Sequence, residues 1–265
     1  MKTTLVTGSS GFIGYFVANA LLAQGWQVIG VDSMSDYYDV KLKQSRLDLL
    51  EAQSGFINVK GEVQEQGLLT ALFAKHKPEI VIHLAAQAGV RYSLENPMSY
   101  FQTNLGGTLQ LLEAARAHPP KHMLMVSSSS AYGANTLMPY NENIQADHQI
   151  SLYAATKKSS ENIAHSYAHL FALPDHLTQQ GMFAGDSLSP VAPYRVVNIG
   201  NSDTVPLLGF IKAIEDATGV VAEKNLLPMQ PGDVPATWAD ASLLKALTGY
   251  LPKTSVRDGV ASFVA

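Results

Sequence analysis

The sequence predicts an α/β fold: a doubly wound parallel sheet covered by helices on both faces, with a smaller C-terminal lobe. Three observations predict it. A glycine run, TGSSGFIG (residues 7–14), joins a short β-rich segment to a helical one. Strand-like and helix-like segments then alternate as far as Phe171. One of the strand-like segments, EIVIHLAA (79–86), is a continuous apolar run of the kind buried on both faces of a sheet.

The elements follow in order. TTLVT (3–7) is a β-rich run ending in glycines, and FIGYFVANALLAQG repeats apolar residues at helical spacing (Phe12, Ile13, Phe16, Val17, Ala20, Leu21) before Gly25 stops it. WQVIGVD (26–32) completes a strand, glycine turn, helix and strand, a βαβ unit. FINVKGE (56–62) predicts a strand, QGLLTALFAKH (66–76) a helix, and residues 97–118 one long helix. HMLMVSS (122–128) predicts a strand, and a further helix runs from about Ser151 to Phe171, ended by Pro174. Beyond it, DHLTQQGMFAGDSLSPVAP (175–193) predicts a polar loop, YRVVNIG (194–200) a strand, VPLLGFIKAIEDATG (205–219) a helix, and the rest a Pro-rich tail. The division expected is a dinucleotide-binding Rossmann-type domain over 1–174 and a remainder over 175–265 holding the C-terminal lobe.

Composition narrows the function classes. Apolar residues make up 46% and charged residues 15% of the 265, as in a compact enzyme-like fold and unlike a disordered chain. A net charge of -4 gives no general attraction to nucleic acid or anionic membrane, and aromatics do not interleave with a basic stripe. No apolar run approaches the roughly 18 residues that cross a bilayer. The N-terminus runs straight into the glycine motif rather than through a signal-peptide core, so a cytoplasmic protein is expected. The absence of cysteine excludes disulfides, thiolate catalysis and cysteine-held metals. The eight histidines form no metal-ligand spacing, and His83, inside an apolar strand, reads as a satisfied core residue.

Four features carry chemistry. Gly8, Gly11 and Gly14 permit a tight turn, close approach of the backbone to a pyrophosphate and close packing of helix on sheet. The N-terminus of that helix then offers N–H groups to phosphate. Asp32, 18 residues past Gly14, ends the second strand, where a carboxylate accepts hydrogen bonds from the adenosine ribose and repels a 2′-phosphate, favouring NAD over NADP. Tyr153 and Lys157 stand at i, i+4 on one helical face. A phenol ordinarily ionises near pH 10, so its use as a base near neutrality needs about 4 kcal/mol of help, which an adjacent ammonium and a positive nicotinamide ring can supply. Y-x-x-x-K is common by chance, and its bland reading is a solvated helix face. Ser127, Ser128, Ser129 and Ser130 follow a strand at its carboxyl end, the edge at which open α/β sheets bind ligands, and at most two should touch substrate.

With these residues in order, the chain resembles the nucleotide-sugar epimerases among the extended short-chain dehydrogenase/reductases, above all the bacterial UDP-glucuronate 4-epimerases. TGSSGFIG, VDSMSDYYD, HLAAQAGVRYS, FQTNLGGT, SSSSAYG, SLYAATKKSSE, NIGNS and MQPGDV carry the resemblance over most of the chain. It implies NAD-dependent epimerisation of a nucleotide sugar at C4 through a transient 4-keto sugar, with UDP-glucuronate and UDP-galacturonate as the pair. Tyr153 is implied as the base, Lys157 as the holder of the nicotinamide ribose, and Ser128 as the hydroxyl near the sugar O4, assisted by Ser129 and Ser130. The cofactor site implied comprises Gly8, Gly11, Phe12, Ile13, Gly14, Asp32, Glu62, Val63, Leu84, Ala85, Ala86 and Asn104, with Tyr153 and Lys157. Glu62 replaces the aspartate of relatives. Arg91 is the candidate for substrate charge, diphosphate or sugar carboxylate, against a surface ion pair as its bland reading. A homodimer paired through the helices at 97–118 and 151–171 is the family's arrangement.

The chain departs from the family after Leu173-Pro174, where relatives continue with a strand, a Tyr-Gly-Pro segment and a basic stretch that cradles the nucleotide. The smooth match on both sides of the join favours intervening residues left out of this sequence over a deletion in the protein itself. A true deletion would leave the substrate lobe incomplete and favour a catalytically inactive NAD-binding protein. A nucleotide-sugar 4,6-dehydratase, the other enzyme reading, needs an acid beside the catalytic hydroxyl, and SSSSAYG offers none.

Overall fold

The computed structural model describes residues 2–173, 185–201, 203–230 and 232–265. Five strands, β1 (Thr3–Thr7), β2 (Gln27–Asp32), β3 (Phe56–Lys60), β4 (Ile80–His83) and β5 (His122–Met125), form one sheet in the order β3-β2-β1-β4-β5. Every pairing is parallel, with Leu5 opposite Ile29 on one side and Val81 on the other. The strand order reverses between β1 and β4. In open α/β sheets that switch point opens a crevice beyond the carboxyl ends of the strands.

Helices α1 (Phe12–Ala23), α2 (Val40–Glu51), α3 (Leu68–His76), α4 (Tyr92–Glu95), α5 (Pro97–Tyr100), α6 (Gly107–Ala117) and α7 (Leu152–Phe171) connect and cover the strands. The main core lies under α3, α6 and α7. Leu5, Ile29, Val81, Phe73, Leu111 and Leu112 are almost wholly buried there. A second cluster, Val6, Ala18, Leu22, Val28 and Leu50, fills the opposite face. Helix α1 buries Gly14, Ala18 and Leu22 rather than its bulkier stripe, so that Phe12, Ile13 and Phe16 stay more than half exposed. Small residues on the buried side let this helix approach β1 closely.

Two expected boundaries shift. The helix expected over 97–118 is α5, a π-helical stretch Phe101–Gly106 and α6, and the π-helical stretch buries Asn104. Residues 194–200, expected as a strand, form none: among the described residues no strand adds to the outer edge of β5, and their polar groups turn to side-chain partners instead. The Asn198 amide donates to Glu142 at 2.7 Å, and the Val196 carbonyl accepts from the Ser187 hydroxyl. The loop expected over 175–193 lies partly outside the described residues.

Periodicity did not single out α2, whose polar surface carries only Leu47, Leu50 and the stem of Lys43 inward. Beyond the expected helix α8 (Leu207–Thr218), the Pro-rich tail folds two more, α9 (Ser242–Thr248) and α10 (Val256–Val264), with α10 packed on α8. Phe263 of α10 meets the ring of Phe12 edge-on, centroids 5.4 Å apart.

The tightest backbone contact is at the glycine turn. A Cβ on Gly14 would lie 2.0 Å from the Gly8 carbonyl oxygen, whereas one on Gly11 meets only that same oxygen, at 3.1 Å. Gly14→Ala should therefore cost about 3 kcal/mol, lowering the thermal unfolding midpoint by about 6–12 °C. Gly11→Ala should unfold within a few degrees of wild type in the same calorimetric scan; equal losses in the two variants would refute this packing account.

Candidate active site

The crevice starts from a single hydroxyl at the end of β1. Thr7 Oγ1 lies 2.8 Å from His83 Nδ1 and accepts the amides of Leu84 and Ala85, both at 3.1 Å. It thus ties β1 to the loop after β4. His83 is fully enclosed, and burial, with Lys157 nearby, pulls its pKa down to about 3. The imidazole is neutral, a satisfied core group. Above it Gly8 turns with φ +72°, and a Cβ there would press on the Ala85 amide at 3.0 Å.

The glycine turn fits a dinucleotide. Helix α1 begins at Gly11 with no side-chain cap, so its first-turn N–H groups are left for an anion. No atom but the Gly8 oxygen lies within 4 Å of a Cβ built on Gly11, which leaves that face open to a close ligand. Asp32, 8% exposed, ends β2 beneath the turn, its carboxylate accepting the Ser10 amide at 2.9 Å and the Met34 amide at 2.8 Å. The hydroxyls of Ser9 and Ser10 are buried without partners.

The other expected cofactor residues divide. Leu84 and Ala85 line the loop tied to Thr7, and Ala86 beside them is exposed. Glu62 is exposed and accepts from the Gln64 side chain at 2.6 Å. Val63 turns its side chain into the core, against Gly107, so only its backbone remains to face a ligand. Asn104 is 2% exposed and spends its amide on protein: it donates to the Gln87 carbonyl (3.1 Å) and Thr156 Oγ1 (3.0 Å), and accepts the Gln87 amide (2.8 Å). Its evident work is to bolt the loop after β4 to α7.

Helix α7 is started by Ser151, whose hydroxyl accepts the Ala154 amide at 3.1 Å. Two and six residues past that cap stand Tyr153 and Lys157. The Tyr153 ring sits edge-on to that of Tyr100, centroids 6.0 Å apart. Tyr100 is fully buried and donates to the carbonyls of Ala88 (2.7 Å) and Gly89 (2.5 Å). Lys157 is buried and donates to the Val126 carbonyl at the end of β5. Burial lowers its pKa to about 8, partly opposed by the carboxylate of Glu161.

The serine run leaves β5 as a loop and a turn of 3₁₀ helix, Ser129–Tyr132. Ser128 caps that turn, its hydroxyl accepting the Ser130 amide at 3.2 Å. Ser127 turns the other way and donates to Glu161 at 2.5 Å. Tyr100 and Glu161 escaped the sequence reading, although i+8 spacing from Tyr153 puts Glu161 on the face of α7 that carries Tyr153 and Lys157; Ser127, expected only as one of four serines at the strand end, turns to that carboxylate.

A cavity of about 1120 Å³ opens beside these groups, lined by Ser130, Ser151 and Ala154 on one side and by residues 207–235 on the other. Arg91 lines it but is 67% exposed and paired with Asp233 at 2.8 Å. Lys224, also lining it, is paired with Glu215.

With this geometry in hand, comparison with known proteins is informative. The family model described as GDP-mannose 4,6 dehydratase matches residues 5–186. A probable UDP-glucuronate 4-epimerase of Rhizobium meliloti is 40% identical over 98% of this chain and 95% of its own length. UDP-glucuronate 4-epimerase 4 of Arabidopsis thaliana is 36% identical, covering 99% of this chain and 74% of the relative. The crystal structure of the Bacillus cereus UDP-glucuronic acid 4-epimerase with UDP-glucuronic acid and NAD superposes with a TM-score of 0.85 at 26% identity, over 99% of this chain and 98% of that one. The alignment with the Rhizobium protein extends over 324 residues, more than the 265 of this chain. The relative therefore carries residues that have no counterpart in this sequence. In fold and sequence alike, the chain belongs to the nucleotide-sugar epimerase family of extended short-chain dehydrogenase/reductases.

Proposed function

We propose that the protein interconverts UDP-glucuronate and UDP-galacturonate by NAD-dependent epimerisation at C4. The observation that carries the reading is a buried ammonium, Lys157, one helical turn from the phenol of Tyr153, on a helix whose first turn reaches a cavity of about 1120 Å³ through Ser151 and Ala154. NAD, when bound, supplies the two-electron acceptor and donor that takes C4 between alcohol and ketone. The chain supplies the rest. The Tyr153 oxygen takes the proton of the 4-hydroxyl and later returns it, and the Lys157 charge one turn away stabilises the phenolate and holds the nicotinamide ribose. Ser128 offers a hydroxyl to the sugar O4, with Ser129 and Ser130 beside it. Gly8, Gly11, Gly14 and the first-turn amides at Phe12 and Ile13 receive the pyrophosphate, while Asp32 receives the adenosine ribose. Arg91, released from Asp233, faces the substrate's negative charge.

In this reading residues 1–174 form the NAD-binding domain and 175–265 hold the substrate lobe. The protein works in the cytoplasm as a homodimer paired through the helices at 97–118 and 151–171. Among the described residues no helix is long and apolar enough to cross a membrane. No carboxylate stands between Ser127 and Gly133, so nothing beside the catalytic hydroxyl could expel a C6 oxygen as a dehydratase requires.

One observation favours a second reading, an NAD-binding protein without turnover. The relative carries residues that this chain lacks, and Arg91 and Lys224 in the cavity are both neutralised by carboxylates. Titration calorimetry with UDP separates the two: micromolar binding supports the enzyme, and its absence alongside tight NAD binding supports the second.

Two further outcomes are expected. Tyr153→Phe should keep NAD affinity within about twofold while interconversion, followed by chromatography of the two UDP-uronates, falls at least about a hundredfold. Full activity in that variant would remove the assigned base. For Lys157 the folded pKa lies below the unfolded one, so the buried charge costs stability at neutral pH, and the cost fades as pH rises from about 8 toward 10.5. Lys157→Met should therefore be inactive yet more stable at pH 7, by about 1–3 kcal/mol after loss of the bond to Val126. The gap should close on alkaline titration. A variant less stable than wild type at pH 7 would contradict this electrostatic account.

A further inference from the structure

We propose that Glu161 is a positioning residue for this site, fastening the serine loop after β5 to the catalytic helix one turn beyond Lys157. The inference rests on the assignment of Tyr153, Lys157 and Ser128 as the working set.

The geometry is a two-point clamp. Tyr153, Lys157 and Glu161 stand at i, i+4 and i+8 of α7 and share one face. Lys157 donates to the carbonyl of Val126, and the Glu161 carboxylate accepts the hydroxyl of the next residue, Ser127, at 2.5 Å. Successive turns of the helix therefore grip successive residues of the strand exit, immediately before Ser128. The second carboxylate oxygen accepts from Lys158 at 3.0 Å, which fixes the rotamer from the other side. The Glu161 side chain is only 12% exposed, and a carboxylate in such a place costs free energy unless it is hydrogen-bonded. A stabilising role through Lys158 alone does not account for this. An i,i+3 pair whose lysine is still 29% exposed contributes little, and an outward carboxylate would make it equally well.

From Ser127 the loop has one course: Ser128 caps the 3₁₀ turn, and that turn packs on α7. Releasing Ser127 frees the loop at its root and lets the Ser128 hydroxyl drift from the reacting oxygen. Glu161 also bears on its neighbour's charge, since its carboxylate favours the Lys157 ammonium against burial. The other charged or titratable groups facing this pair are Lys158 on the same helix, His83 from β4, Tyr132 from the 3₁₀ turn and Tyr194 from the coil after Asp186. Burial keeps His83 neutral and holds the Tyr132 and Tyr194 phenols above their ordinary value, so Glu161 is the nearest counter-charge that Lys157 has among them.

The test uses the whole protein with NAD and UDP-glucuronate. Glu161→Ala should lower kcat by about tenfold to a hundredfold with KM changed less than about threefold, and Glu161→Asp should recover part of the loss. Glu161→Gln keeps an acceptor for Ser127 but not the charge. It should retain most of kcat while the alkaline limb of the kcat/KM profile moves about half a unit or more toward lower pH. A readout independent of turnover accompanies these. The pH at which the stability gap between Lys157 and Lys157→Met proteins begins to close should fall by a similar amount in the Glu161→Gln background. Wild-type kcat in Glu161→Ala overturns the proposal. So does a loss of kcat matched only by a loss of stability, with no recovery in Glu161→Asp and no pH displacement in Glu161→Gln. If the wild type itself turns over no sugar, the epimerase reading fails, and the stability titration alone decides whether Glu161 tunes Lys157.

Discussion

Three backbone segments meet where β1 ends, and none can withdraw without exposing the others. The carbonyl of Gly8 occupies the space that a side chain on Gly14 would need, while the Cα of Gly8 faces the Ala85 amide. Thr7 completes the junction by accepting two amides of the loop after β4 with one hydroxyl. Hydrogen atoms in place of methyl groups make that approach possible. Close approach leaves the mouth of the crevice lined by peptide N–H groups instead of side chains. In a chain with four more acidic than basic residues, the proposed site for a pyrophosphate offers such local dipoles, not net charge.

The same junction carries a chain of contacts to the chemistry. The loop after β4 is held at Gln87 by Asn104 and at Ala88 and Gly89 by the buried hydroxyl of Tyr100. Asn104 reaches on to Thr156, and the Tyr100 ring meets that of Tyr153. The glycine turn and the phenol of Tyr153 are therefore linked through packed, hydrogen-bonded groups without any residue common to both. The π-helical stretch Phe101–Gly106 is the irregularity in this linkage, and it is the stretch from which Asn104 turns inward. Burial of Lys157 works against stability at neutral pH, and in the proposed reaction the same buried charge is what the phenol needs.

The cavity side is built differently. Among the described residues the sheet ends at β5, where residues 194–200 run as coil instead of adding a strand, and the far wall of the cavity is drawn from residues 207–230 and 232–235. The two cations lining the cavity, Arg91 and Lys224, are both ion-paired. Asn198 ties this part to the serine turn by accepting from the Tyr132 hydroxyl and donating to the Tyr140 carbonyl.

By itself the sequence determined the parallel α/β fold, the glycine turn, the carboxylate at the end of β2 and the phenol and ammonium on one face of α7. Each of these rests on a short-range rule of spacing or on the steric needs of glycine, which a linear chain displays directly. Helix α2 escaped because only Leu47, Leu50 and the stem of Lys43 point inward, too few to mark a period. The strand expected at 194–200 failed because an edge strand forms only when another strand lies beside it, and that is a property of the assembled sheet. Tyr100, Asn104 and Glu161 gained their meaning from partners 11 to 52 residues away in sequence. Only the folded chain decided them, because a hydrogen bond depends on distance in space, and the sequence orders residues without bringing any two together.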